Sequence, residues 1–167
     1  MNQYSLIISV IIFLSVTYYS MGYRYGIWLV YDNIELPTEH LGHITIACFM
    51  EHDEALKLYN DIIDNVGSTT EVMLNGEPIM FDTGFYEHDE NNLYSWGYSG
   101  ECDNWLNYKD ICQKYKCDFS SKPHISKEYT FTPNKLQPTE MKNMNLQCTV
   151  YCVDICSDSP IEWKLIR

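Results

Sequence analysis

Two short stretches carry residues whose types and spacing suit chemistry: Gly42-His43-Ile44-Thr45 and Pro123-His124-Ile125-Ser126. Each holds a histidine, one apolar residue and a hydroxyl, and the two histidines lie 81 positions apart. Successive side chains of a strand alternate between faces, so a strand through either stretch points its histidine and its hydroxyl to the same side. A pair of imidazoles suits general acid–base work, because an unperturbed imidazole is available in either protonation state near neutral pH. On a phosphodiester, one imidazole would deprotonate an attacking hydroxyl or water and the other would protonate the leaving oxygen. Thr45 and Ser126 would hydrogen-bond the non-bridging oxygens as charge redistributes on them. A single His-x-Thr or His-x-Ser is a weak signal. Two copies on strands carry more weight, and two unrelated structural histidines are the competing reading.

This chemistry calls for no metal and no cofactor, and none is expected. The sequence has no Gly-rich phosphate loop of the P-loop or dinucleotide type, and its acids are scattered. His40, His43, Cys48 and His52 invite a zinc reading, but residues three apart on a strand face opposite ways, which argues against it. His52 and His88 stand in polar surroundings and read as exposed.

The elements that must position the two motifs follow from periodicity and punctuation. Tyr25 to Tyr31 is rich in aromatic and branched residues and reads as a strand closed by Asp32-Asn33. His43 to Met50 alternates, with Ile44, Ile46 and Cys48 on one side and His43, Thr45 and Ala47 on the other. Asp53 to Val66 has apolar residues at helical spacing, acids at its start and Gly67 at its end, so it predicts a helix. Glu71 to Leu74 and Ile79 to Tyr86 predict a hairpin turned at Asn75-Gly76. Leu93 to Tyr98 follows as a strand beyond the polar turn Glu87 to Asn92. Trp105 to Tyr115 predicts a second helix leading into Pro123-His124, and Ile125 to Phe131 continues as strand. Pro133 to Asn143 reads as a loop or short helix. Leu146 to Ile155 and Ile161 to Ile166 form a closing hairpin around Ser157-Asp158-Ser159-Pro160. The order strand, motif strand, helix, strands thus occurs roughly twice.

Composition narrows the partners. The net charge of −12, from 23 acids against 11 bases, opposes any grip on a long duplex, which depends on clustered Lys and Arg. The partner expected is a small nucleotide or short oligonucleotide, and 14 Tyr, 4 Trp and 6 Phe supply flat faces for bases as well as for the core. With 167 residues, 46% of them apolar, the chain can bury one core, and a monomer is expected. The seven cysteines, an odd number, read as free thiols, with Cys148, Cys152 and Cys156 on one strand face in the core.

Met1 to Tyr23 holds no charged side chain, and Leu6 to Val16 is an unbroken run of mostly apolar residues before Ser20-Met21-Gly22. Residues 1–22 are therefore read as a signal peptide or membrane anchor, with 23–167 as a single domain. Membrane association would run through residues 4–22. The protein is placed at a membrane or in the secretory pathway, and a retained anchor with Arg24 on its flank favours a cytosolic domain. An ordinary buried first element is the plainer alternative.

His43-Ile44-Thr45-Ile46 before a helix, then Phe119-x-x-x-Pro123-His124-Ile125-Ser126 after a helix, then a strand hairpin, resembles the two-histidine phosphoesterase superfamily over about residues 23 to 167. The resemblance implies a bilobed α+β fold: two pseudo-symmetric halves of antiparallel strands around a central cleft, helices outside, one motif from each half. It implies metal-independent action on 2′,3′-cyclic phosphates, ADP-ribose cyclic phosphate or 2′-5′ linked oligonucleotides such as 2′-5′ oligoadenylate. Carried over, His43 and His124 are the acid–base pair and Thr45 and Ser126 the phosphate ligands. Tyr129, five positions beyond His124, is a candidate base-stacking face, against the reading of a strand tyrosine packed on a neighbour. Lys127 departs from the family, which usually has an apolar residue there. The functional alternative is a catalytically silent module that binds a nucleotide or protein on the same fold.

Overall fold

The computed structural model describes residues 24–31, 41–86, 92–130, 139–156 and 163–167, without the side chains of 82–86, 92–93 and 128–130. In chain order the elements are β1 (Tyr25–Tyr31), β2 (His43–Met50), α1 (His52–Asn65), β3 (Thr69–Tyr86), β4 (Asn92–Glu101), α2 (Trp105–Cys112), β5 (Asp118–Phe119), β6 (His124–Thr130), β7 (Met144–Asp154) and β8 (Lys164–Leu165). The class is α+β. Among the described residues the strands form one sheet in the order β5-β2-β1-β7-β3-β4-β6, with β8 on β7, and every pairing is antiparallel.

Alternation divides the sheet into two faces. One face presents Ile27, Leu29, Ile44, Ile46, Val72 and Leu74, all without solvent exposure. It packs against Ala55, Leu58 and Ile62 of α1 and Trp105, Tyr108 and Ile111 of α2, so both helices cover the same side in one core. Burying each large aliphatic or aromatic side chain contributes roughly 1.5–3 kcal/mol, which is what holds two short helices to the sheet. Acids at Asp53 and Glu54 fill the first turn of α1, where they complement the helix dipole.

The two ends of the sheet are drawn together by the chain between α2 and β6. Ser120 N–H donates to the Ile46 carbonyl of β2 at 2.9 Å, and Gly100 N–H of β4 donates to the Pro123 carbonyl at 2.8 Å. Ser120 and Pro123 are three positions apart, a reach of at most about 11 Å. The sheet therefore curls, and residues of β2 and β6 come within 8 Å, Cα to Cα. Two strands far apart in sequence, β2 and β6, become neighbours through this one short span.

Four sequence expectations are corrected. Asn75-Gly76 does not turn a hairpin: β3 runs on through it with a shift of register against β4 between Leu74 and Pro78. The Asn75 side chain accepts from Glu77 N–H, while Gly76 N–H donates to Asn143 Oδ1 and its carbonyl accepts from Met141 N–H. The turn-forming pair is spent on a bulge that docks the 141–143 segment. In β2 the alternation breaks at a second bulge, so Ala47 is buried beside Ile46 and Cys48 is only half-buried. The second helix ends at Cys112 rather than Tyr115. Finally, Cys148 and Cys152 are core residues of β7 but Cys156 lies past its end, half-buried. Cys48, Cys102, Cys112, Cys117, Cys148 and Cys152 are free thiols. Among the described residues no helix is long and apolar enough to cross a membrane, and residues 1–22, on which the anchor reading rests, lie outside them.

Candidate active site

Paired residues on neighbouring strands share a face, so the registers can be followed across the sheet. His43 pairs with Val30 and Thr45 with Trp28. Trp28 pairs with Tyr151 and Val30 with Thr149, and Thr149 pairs with Thr69. Along β3 the same face passes through Met73 to Glu101 of β4, and from there to Ser99 and Gly97, which pair with His124 and Ser126. All four motif residues thus stand on the face opposite the helices, each half-buried.

The two histidines have the same local geometry. His43 Nδ1 lies 2.9 Å from the carbonyl of Leu41, and His124 Nδ1 lies 3.0 Å from the carbonyl of Lys122. In each case the partner is two residues earlier. A carbonyl oxygen can only accept, so Nδ1 carries the proton in both rings and Nε2 is the atom left for chemistry. Neutral, Nε2 is a proton acceptor; charged, it is a donor. Either ring can therefore act as base or acid without changing its anchor.

The surroundings of the rings differ. His43 stacks on Trp28, centroids 3.7 Å apart and planes 12° apart, with Trp163 edge-on at 5.9 Å. His124 lies by Phe81 at 4.4 Å with planes tilted by 31°. Burial holds the His124 imidazole less basic than an ordinary histidine, opposed in part by its bond to the Lys122 carbonyl. The unfolded chain then binds this proton more readily than the folded one, so stability is fully present above the ordinary imidazole range and is lost as pH falls through it. Urea unfolding at pH 7.5 and 5.5 should show a larger acid-side loss for the native chain than for His124→Gln. An equal loss in both would mean that His124 is not desolvated.

Lys127 is the extra residue of a bulge, since the register of β6 on β4 shifts between Ser126 and Glu128, and its side chain is half-buried. The backbone of Tyr129 lies opposite Ser95, but its side chain falls outside the described residues, so its stacking role does too. His52 is exposed, pairs with Asp53 at 3.0 Å and meets Tyr25 edge-on. His40 and His88 lie outside the described residues. Among the described residues no three His, Cys, Asp or Glu side chains cluster as metal ligands.

Sequence reasoning missed Trp28 and Phe81, the rings beside the two histidines. In Tyr25 to Tyr31 nearly every residue is apolar, so no alternation marked Trp28 as facing away from Ile27 and Leu29. No family model, no curated protein and no solved structure matches this chain.

Proposed function

We propose that this chain is a metal-independent phosphodiesterase of the two-histidine kind, acting on RNA-type phosphodiesters: 2′,3′-cyclic phosphates or 2′-5′ linked oligonucleotides. The observation that carries the reading is the matched anchoring of two imidazoles, each by Nδ1–H to the carbonyl two residues back, on one face of a sheet whose ends approach. One Nε2 takes the proton of the attacking water or hydroxyl and the other returns a proton to the leaving oxygen. Thr45 and Ser126 hydrogen-bond the non-bridging oxygens, where the charge of the transition state is spread.

The two-lobed arrangement belongs to the same proposal. Each motif strand bulges by one residue just after its hydroxyl residue: β2 between Thr45 and Ala47 against β1, and β6 between Ser126 and Glu128 against β4. Matched bulges of this kind favour two related halves, each presenting one histidine. The net charge of −12 favours a small substrate over a duplex.

Incubation in EDTA with 2′,3′-cyclic nucleotides, 2′-5′ oligoadenylate and cyclic dinucleotides tests the proposal. Turnover of at least one of the first two is expected. No turnover of any substrate refutes it, and nucleotide binding without turnover would return the silent binding module instead.

A further inference from the structure

The ring beneath His43 is the feature that the catalytic reading does not yet use. Trp28 is 2% exposed although it sits on the face away from the helical core, and no hydrogen bond satisfies its buried indole N–H. A large ring in that position either fills space or holds something in place. Its geometry favours the second. The indole is nearly parallel to the His43 imidazole at 3.7 Å, and Trp163 closes a third side, 5.0 Å from Trp28 and 5.9 Å from His43. Flat contact fixes the plane of the imidazole, while the bond from Nδ1 to the Leu41 carbonyl fixes its rotation within that plane. Together the two constraints leave His43 one orientation and one atom, Nε2, to present.

We propose that Trp28 is a positioning residue for His43: its indole face holds the imidazole in the orientation from which Nε2 exchanges a proton with the substrate. The proposal rests on the phosphodiesterase reading and says which further side chain that reaction depends on. Loss of the indole frees the ring about its side-chain torsions. Misplacing a reacting group by about 1 Å can lower a rate by roughly 10²-fold, whereas contacts made equally to bound substrate and transition state change KM.

Proton NMR of the full chain gives a readout that needs no activity. The ring C–H signals of His43, assigned by their loss in His43→Gln, should lie upfield because they sit over the indole, and the indole signals missing from Trp28→Phe should move in His43→Gln. Trp28→Leu should lose the upfield shift. Kinetically, Trp28→Leu should lower kcat roughly 10- to 100-fold with KM within about twofold, and Trp28→Phe, which keeps a flat face, should recover much of the loss. His43 signals at their ordinary position in the native chain overturn the proposal. So does Trp28→Leu with native kcat, or a loss confined to KM. Should Trp28→Leu fail to fold, the native spectrum and the His43→Gln difference decide alone. Should the native chain turn over no substrate, an upfield His43 shows that the stacking stands and that the phosphodiesterase reading has failed.

Discussion

His43→Ala and His124→Ala are each expected to lower turnover of a 2′,3′-cyclic or 2′-5′ linked substrate by roughly 10²- to 10⁴-fold, the usual yield of a positioned general acid or base. The double variant should be little worse than the more damaged single one. Proton removal and proton delivery belong to one displacement, and losing either leaves the other little to do. Thr45→Val and Ser126→Ala should each cost about 10²-fold, as expected for one donor to developing negative charge. Neither histidine belongs to the buried core, so circular dichroism and thermal unfolding should remain close to native. Initial rates in EDTA measure the effect. A His124→Ala chain that keeps its rate would exclude the paired mechanism, whereas loss in only one variant would leave a single-histidine site.

What the sequence revealed of this arrangement depended on how much of it is local. The period-two pattern of His43 and Thr45 is a property of four residues, and it correctly placed both on one face of β2. The helix α1 was equally legible from Leu56, Tyr59, Ile62, Ile63 and Val66 at helical spacing, although of these only Ile62 is fully buried and Ala55 and Leu58 meet the core beside it. Asn75-Gly76 misled because the same backbone freedom serves a turn or a bulge. The choice was made by residues 141–143, some 66 positions away, which dock there. The approach of β2 to β6 was beyond local reading. It follows from Ser120 and Pro123, which bond to β2 and β4 from either end of a four-residue stretch, and no periodicity announces that. Among the described residues the order of elements around the two motifs differs, against the roughly repeated order expected from the sequence: α1 follows the motif strand β2, whereas α2 precedes β6.

Gly97→Ala tests the strand geometry around the second motif directly, and its expected effect is large for so small a change. A Cβ on Gly97 would lie 1.8 Å from the Ile125 carbonyl oxygen and 3.2 Å from the Cα of Ser126. These are backbone atoms, which cannot swing aside as a side-chain tip can. The strands must part where His124 and Ser126 are held, since Gly97 pairs with Ser126 and Ser99 with His124. Forcing extra volume between packed segments typically costs roughly 1–3 kcal/mol, which denaturant unfolding would read as a lower midpoint. The rate should suffer more than the stability. Moving β6 shifts His124 and Ser126 relative to His43 and Thr45 on β2, and an ångström of displacement is enough for roughly 10²-fold. Core contacts of α1 with β1 lie away from this seam, so the chain should remain folded while losing activity. A Gly97→Ala chain with native midpoint and native rate would mean that β4 and β6 are not in this close register. Instability with an intact rate in the folded fraction would mean that the position of His124 does not matter to the chemistry, and that the paired-histidine reading is wrong.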